Sequence, residues 1–353
     1  MRLINKLLFC LAAGIPAVAL AACSSGGSSG GVASGPPPEQ STIVIDMVPT
    51  ADAAGVYIAQ DDGYFAQQGL TVKIVPINGG EYGIGDLQTG KAQLIEGNYV
   101  SFILAQIAGT FAAPNPNNPT QTEPTKPINM RLIADSSQMQ PGNQGLYVLP
   151  SSPYRTVQQL VAHHVAIGVN TLHNIGTVLL GSLLASDGYK VSALAQSPQI
   201  LPLMPMLLAQ HKISAAWLPE PFATEAQQDY GAVQLADFDQ GSLQDFPLTG
   251  YLGSTQWVHA HPDTVAAFLR ALTEGQALAD TDRAALESAI EQYTDVPPVI
   301  AGTMAIDSYP LAMDVPQLQR VADSMYEFGL TPGAKAPYQV ARMIQQEPGL
   351  AGG

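Results

Sequence analysis

Cysteine is almost absent. Only Cys10 and Cys23 occur in 353 residues, so nothing after Cys23 can be joined by a disulfide within the chain or held in a cysteine-rich zinc site. Basic residues are scarce: Lys and Arg total 14 against 29 Asp and Glu. The net charge of −15 argues against nucleic acid, whose phosphates are neutralised by clustered Lys and Arg. It favours solubility more than it identifies a function. Catalytic signatures are missing as well. The sequence holds no HExxH, no G-x-S-x-G elbow, no P-loop and no GxGxxG. The six histidines, His163, His164, His173, His211, His259 and His261, fall in no metal-ligand spacing. These absences predict a non-enzyme without metal or cofactor.

What is present begins at the N-terminus. Arg2 and Lys6 precede an apolar run from Leu7 to Ala22. A basic start, a short apolar segment and small residues before a cut are the layout of a secretory signal. The run is interrupted by Gly14 and Pro16 and is shorter than the roughly 20 residues that a membrane span needs. It ends Leu20-Ala21-Ala22-Cys23, which resembles the lipobox of bacterial lipoproteins. That resemblance implies that residues 1–22 are a signal peptide and that Cys23 is acylated (palmitate among its chains) as the mature first residue. Stable anchoring takes more than one lipid signal, and the multiply acylated cysteine of those proteins supplies it. Cleavage would remove Arg2, Lys6 and no acid, taking the net charge from −15 to −17. The rest of segment 23–41, SSGGSSGGVASGPPPEQS after Cys23, has almost no apolar side chains to bury. It reads as a flexible Gly/Ser tether with a stiffer Pro36-Pro37-Pro38 end.

The remaining body alternates two kinds of segment. Thr42–Val48 is rich in β-formers, a helical pattern runs from Ala53 to Gln68, and Leu70–Ile77 is β-rich again. A helix near Ile84–Thr89, a strand at Ala92–Ile95, a helix at Phe102–Ala108 and a strand at Met130–Ala134 follow. A second series starts at Gly145–Leu149. It continues through a helix at Thr156–Ala162, a strand at Val165–Val169 and a helix at Ile175–Leu184. Ile213–Trp217, Val233–Leu235 and Thr249–Val258 are further strands, and helices occupy everything after Pro262. Val265, Phe268, Leu269 and Leu272 give the first of these a clear apolar face. Strands alternating with helices predict an α/β layer fold with mainly parallel sheets. Ala112–Asn129, rich in Pro, Asn and Thr, reads as a long surface loop, either an inserted segment or a lid or permease contact.

Four segments, in order, carry a resemblance. They are Gly63-Tyr64-Phe65-Ala66-Gln67-Gln68-Gly69-Leu70, Leu87-Gln88-Thr89-Gly90-Lys91-Ala92-Gln93, Ala215-Ala216-Trp217-Leu218-Pro219-Glu220-Pro221-Phe222, and the stretch holding Gln256-Trp257-Val258, Pro262-Asp263-Thr264-Val265 and Phe268-Leu269-Arg270-Ala271. Over residues 42–345 the body resembles the solute-binding proteins of nitrate, sulfonate, taurine and thiamine-precursor ABC importers. Gln93 and Ser214 stand where that family usually has Asp. The resemblance implies a two-lobed periplasmic-binding-protein-like fold of type II, with a ligand cleft between lobes. Lobe 1 would be 42–140 with 250–345, lobe 2 would be 141–249, and 346–353 a flexible end. It also implies a monomer that binds a small solute, closes around it, and is recognised by an ABC permease with its ATPase on the outer face of the cell membrane.

Ligands in open α/β sheets lie beyond the carboxyl ends of the strands. That rule nominates Thr50 and Asp52; Gly80, Glu81 and Tyr82; Asn98 and Tyr99; and Ser136 in lobe 1. In lobe 2 it nominates Asn170, Thr171, Asn174, Trp217 and Glu220. Other readings compete. Asp52, Asn170 and Thr171 are also good helix caps, Gly79-Gly80 also makes a turn, Trp217 also suits a core, and Glu220 also suits a local turn. The nominated loops hold Asp52, Glu81, Glu96 and Glu220 but no Lys or Arg. An anion normally wants a guanidinium or similar partner. The expected solute is therefore neutral or cationic, a flat nitrogen heterocycle of the thiamine-precursor kind. The alternatives are an anion of the nitrate, alkanesulfonate or taurine kind, a lipoprotein that senses its ligand, and a pyrimidine-forming enzyme of the same fold. The last depends on a cysteine-rich motif, which this body lacks.

Overall fold

The computed structural model describes residues 35–108, 112–115, 118–124 and 129–344. The apolar N-terminal run, Cys23, the Gly/Ser stretch to residue 34 and the residues after 344 lie outside the described residues.

β1 (Thr42–Met47) buries Ile43, Ile45 and Met47 on one face, as alternation along a strand requires. It pairs in parallel with β2 (Thr71–Pro76) and with β3 (Leu94–Asn98). α1 (Ala54–Asp61) and α2 (Tyr64–Gln67) connect β1 to β2. The sequence predicts one helix here. It breaks because Gly63 takes φ of 72°, a left-handed conformation open to glycine. α3 (Gly80–Thr89) leads to β3, and α4 (Tyr99–Ala108) leaves β3 with no intervening loop.

The Pro/Asn-rich stretch is not the loop its composition suggests. β4 (Ala112–Asn115) and β5 (Asn118–Pro124) pair as an antiparallel hairpin, with Ala113 opposite Glu123. A two-stranded ribbon consists only of edges, where proline's missing N–H is tolerated.

β6 (Met130–Gln138) carries the chain into a second sheet. There β7 (Gln144–Val148), α5 (Val157–Ala162), β8 (Ala166–Val169), α6 (Ile175–Ser186) and β9 (Ala195–Pro198) follow in turn. α7 (Met204–Ala209), β10 (Ala215–Pro219), α8 (Phe222–Tyr230) and β11 (Val233–Asp237) complete it. β12 (Pro247–Ser254) then returns to the first sheet. It ends four residues before the strand expected from sequence, because the Ser254 hydroxyl accepts from Trp257 N and caps α9 (Thr255–Ala260). α10 (Pro262–Thr281), α11 (Arg283–Thr294), α12 (Pro298–Ala301) and α13 (Val315–Glu327) close the chain.

The first sheet has the order β2-β1-β3-β12-β6 and the second β11-β7-β10-β8-β9. In the first, only β12 runs against its two neighbours; in the second, only β7 does. Four of five strands in each sheet therefore run one way. The fold is a two-lobed α/β architecture. Its chain crosses between the sheets twice, at 139–143 and 238–246. α13 straddles the division. It buries Leu318, Val321 and Met325, and Arg320 Nη2 donates to Ser242 O (2.8 Å) and Gln244 O (2.7 Å) in the second crossing. Just beyond it, Phe328 packs on Gly181 of α6.

α10 seals the first sheet with the apolar face expected of it: Val265, Phe268 and Leu272 are buried. Phe268 stacks on Phe65 with centroids 5.5 Å apart. α1 and α10 approach at glycines. A Cβ on Gly275 would stand 2.0 Å from Gly55 O and 2.9 Å from Ala59 N, both backbone atoms that cannot swing aside. Gln276 continues the contact by donating to Asp135 O at 2.8 Å. Gly275→Ala should therefore cost about 2–3 kcal/mol through overpacking, lowering the unfolding temperature by roughly 5–10 °C. Gly85→Ala in α3, where a Cβ meets nothing within 4 Å, should leave that temperature unchanged or raise it, because glycine is the poorer helix former. Thermal unfolding followed by circular dichroism compares the two. Equal effects would refute the close helix contact.

Candidate functional site

The carboxyl ends of both sheets face each other across a cleft. The first sheet and its loops line it with Val48, Thr50, Asp52, Asn98, Leu248 and Thr249. The second lines it with Gln144, Asn170, Ile175, Leu201, Trp217 and Pro219. Strand register explains part of this set: Pro219 pairs with Gln144 and Trp217 with Leu146, so Gln144, Trp217 and Pro219 share one face of the second sheet. Trp217 Nε1 donates to Gln144 Oε1 at 2.8 Å, which fixes the indole plane. The space that these residues line is about 40 Å³, enough for a few waters on the scale of buried hydration sites.

Of the nominated residues, Thr50, Asp52, Asn98, Asn170 and Trp217 line this space. Glu81, Thr171 and Asn174 join the two lobes beside it. Thr171 Oγ1 donates to Glu81 Oε1, Asn174 Nδ2 approaches Oε2 at 3.5 Å, and Ser101 Oγ donates to Oε2 at 2.9 Å. Gly80 lets this happen: a Cβ there would meet Gly97 Cα at 3.3 Å. Asn98 and Asn174 also act as caps, accepting from Ser101 N (2.9 Å) and Ile175 N (2.7 Å). Ser136 supports Asp52 from behind, donating to its carbonyl at 2.8 Å.

Three nominated residues are turned elsewhere. Tyr99 is buried in the first lobe, with its hydroxyl on Asp135 and its ring filling the room left by Gly250. β3 runs straight into α4, so Tyr99 is the first residue of a buried helix and not part of a loop. Tyr82 is half-buried on α3, outside the cleft lining. Glu220 accepts from Thr224 N (3.0 Å), Thr224 Oγ1 (2.8 Å) and Ala305 N (3.2 Å). It caps its own helix region and binds the C-terminal segment.

Sequence reasoning missed several lining residues. Leu201 follows β9, a strand with no β-rich signal. Gln144 opens β7 one residue before the apolar run. Thr249 and Leu248 belong to the returning strand's buried interior and not to a carboxyl-end loop.

The junction is strongly acidic. Asp52, Glu96, Glu220 and Asp307 are all buried. The ion pairs found among the described residues, Lys91–Asp86 and Arg283–Glu287, involve none of them. Asp52 accepts from Ser137 Oγ at 2.7 Å, and Asp307 accepts from Asn143 Nδ2. Neither Glu96 oxygen has a hydrogen-bond partner. Burial pushes Glu96 up to about 8, and the charge of Asp52 adds to the rise; Thr249, Ser136 and the Val48 amide lie close enough only to moderate it. Burial likewise raises Glu220 to about 7, and lifts Asp52 and Asp307.

These shifts fix the sign of a pH effect. A carboxyl whose folded pKa lies above its unfolded value, near 4.5 for glutamate, holds a proton that the unfolded chain gives up. Its stabilising contribution is complete below that unfolded value and is lost as pH rises through the folded values of about 7 and 8. The solute-free protein should unfold at a higher temperature near pH ~5.5 than near pH ~8.5. Glu96→Gln, which keeps the shape and needs no proton, should shrink that difference. A scan across pH on both proteins checks it; an undiminished difference in the variant would assign the effect to other groups.

No curated protein matches in sequence. Solved structures do match in shape. The alkanesulfonate-binding protein SsuA from Xanthomonas axonopodis pv. citri, bound to MOPS, is 18% identical with a TM-score of 0.68, covering 87% of this chain and 99% of that one. The periplasmic nitrate-binding protein NrtA from Synechocystis PCC 6803 is 15% identical with a TM-score of 0.68, covering 85% and 84%. A ligand-binding component of an ABC-type import system from Staphylococcus aureus, with zinc bound, is 14% identical with a TM-score of 0.68, covering 87% and 97%. These likenesses confirm the periplasmic-binding-protein fold. Residues 36–292 match the NMT1-like family, and the chain belongs to that family.

Proposed function

We propose that this chain is the extracytoplasmic solute-binding lipoprotein of an ABC importer. It captures a small solute between its lobes and presents the closed form to a permease and its ATPase. The observation that carries the reading is the cleft lined from both sheets at their carboxyl ends, between two crossings of the chain. Closure desolvates the cleft and orders the lobes, and contacts to both lobes offset that cost. The division on which closure acts is 42–140 with 250–345 against 141–249. No catalytic step is assigned to it.

The cleft favours a neutral or cationic solute, such as a planar nitrogen heterocycle of the thiamine-precursor kind. Its lining contains one charged side chain, Asp52, and no Lys, Arg or His. Trp217 offers an aromatic face, while Asp52, Asn98, Asn170 and Thr249 offer acceptors for ring amino groups. The second reading is an anion binder, favoured by the named ligands of the similar alkanesulfonate- and nitrate-binding proteins.

Titration calorimetry with an aminopyrimidine, an alkanesulfonate and nitrate separates the readings. The aminopyrimidine should bind, and Trp217→Ala and Asp52→Asn should each weaken it by about tenfold or more, the size of one lost stacking or charge-assisted contact. Micromolar binding of either anion with no heterocycle binding would sink the favoured reading. Glu220 is a poor choice of variant, because its carboxyl already serves Thr224 and Ala305.

The anchor is tested separately. Cys23→Ala should move the protein from the membrane fraction to the soluble fraction, since none of the helices among the described residues is long and apolar enough to cross a membrane. Retention of the variant on membranes would refute lipid anchoring through Cys23.

A further inference from the structure

Glu81 is fully buried although its partners carry no positive charge. It lies in the first turn of α3. Its carboxylate meets Ser101, in the first turn of α4, and Thr171 and Asn174, at the start of α6. Three helices of ten, ten and twelve residues thus begin at one carboxylate, two from the first lobe and one from the second. Helix starts carry partial positive charge, which favours an anion; the donors that reach this one are side chains, because Asn98 and Asn174 already cap Ser101 N and Ile175 N. The backbone is shaped to seat this one. A Cβ on Gly79 would stand 2.6 Å from Glu81 Oε1, and one on Gly97 would stand 2.7 Å from Gly80 Cα. The site adjoins the cleft: Thr171 and Asn174 are chain neighbours of the lining residues Asn170 and Ile175, and Ser101 is capped by lining Asn98.

We propose that Glu81 is a specificity-determining residue whose carboxylate fills the cleft's anion-accepting position from within the chain, so that oxyanion solutes are refused. The proposal rests on the reading of the cleft as a solute site. An oxyanion and the Glu81 carboxylate compete for the same donors. A hydroxyl has one proton to give, and two like charges in a closed, poorly screened cleft repel. Closure then sets the second lobe's donors on an internal anion, and the solute is selected by the rest of the lining.

The experiment removes the carboxylate and offers free oxyanions. Glu81→Ala opens room beside Ser101, Thr171 and Asn174, frees the Thr171 hydroxyl, and leaves Ser101 and Asn174 bonded to each other at 2.9 Å but open to an added acceptor; Glu81→Gln keeps the position filled. Nitrate and methanesulfonate are titrated into wild type and both variants by calorimetry, and thermal unfolding is followed in each salt against chloride at equal ionic strength. Glu81→Ala should bind at least one oxyanion about tenfold or more tighter than wild type, and that salt should raise its unfolding temperature by about 2 °C or more over chloride. Wild type and Glu81→Gln should show neither effect. The idea is overturned by a folded Glu81→Ala that takes up no oxyanion, or by a wild type that binds one equally well. Glu81→Ser, which leaves similar room, carries the test if the alanine variant does not fold. Heterocycle binding by wild type without oxyanion uptake by the variant would remove the role of Glu81 and leave the solute-binding reading intact. Oxyanion uptake confined to the variant supports the role of Glu81 whichever neutral solutes the wild type binds.

Discussion

A carboxylate taken out of water must find donors, accept a proton or draw in a cation. The junction between the lobes poses this problem five times and solves it differently each time. Glu81, at the start of α3, finds hydroxyl and amide donors at the starts of α4 and α6. Glu220 finds a backbone N–H and a hydroxyl of its own helix and the Ala305 amide of the other lobe. Asp307 finds Asn143, and Asp52 finds Ser137. Glu96 finds nothing, and a proton is its remaining route to neutrality. Several of these solutions reach across the division between lobes, so satisfying the acids and holding the lobes together are one physical event.

Glycine makes that arrangement possible by removing side chains where backbones must touch. Gly80 and Gly97 bring the start of α3 down onto β3, which sets the direction of Glu81. Gly250 opens the floor of the returning strand to Tyr99, whose hydroxyl reaches Asp135. Gly55 and Gly275 let α10 lie against α1 closely enough for Gln276 to reach the β6 backbone. Each contact fixes an element that carries a cleft residue or its support: Asn98 at the end of β3, Asp52 just before α1, and Ser136 and Ser137 on β6.

Much of the fold was legible because its elements carry strong local patterns. The β-rich run of β1, the apolar face of α10 and the strand–helix rhythm of both series name the architecture before any contact is known. Local pattern fails where the deciding interaction is distant. β9 is short and polar and exists because it pairs with β8, so Leu201 beyond it went unnominated. The hairpin β4–β5 reads as loop because proline and asparagine dominate it, yet a ribbon made only of edges accepts them. Tyr99 looked like a loop aromatic because nothing local says that β3 passes into α4 without a break. For the site, the strand-end rule placed Thr50, Asp52, Asn98, Asn170 and Trp217 in the cleft lining. It could not separate them from Glu81 and Glu220, since whether an acid faces a ligand or a partner lobe depends on the other lobe's donors.

That distinction bears on what the cleft can discriminate. Its volume is small and its apolar wall, with Trp217, Leu201, Leu248 and Pro219, is mostly indifferent to charge. Shape alone separates poorly between a planar heterocycle and a small oxyanion that fits the same space. Discrimination therefore falls to the polar groups, where an unpaired partner in a closed cleft is costly. With Asp52 in the wall, the proposed reading puts that cost on solutes that bring acceptors and no donors. A solute that brings N–H donors relieves it on the side of Asp52, and the desolvated cleft strengthens that contact as the lobes shut. On the proposed reading, selection against anions depends on keeping water out, which ties specificity to the same closure that a permease would read.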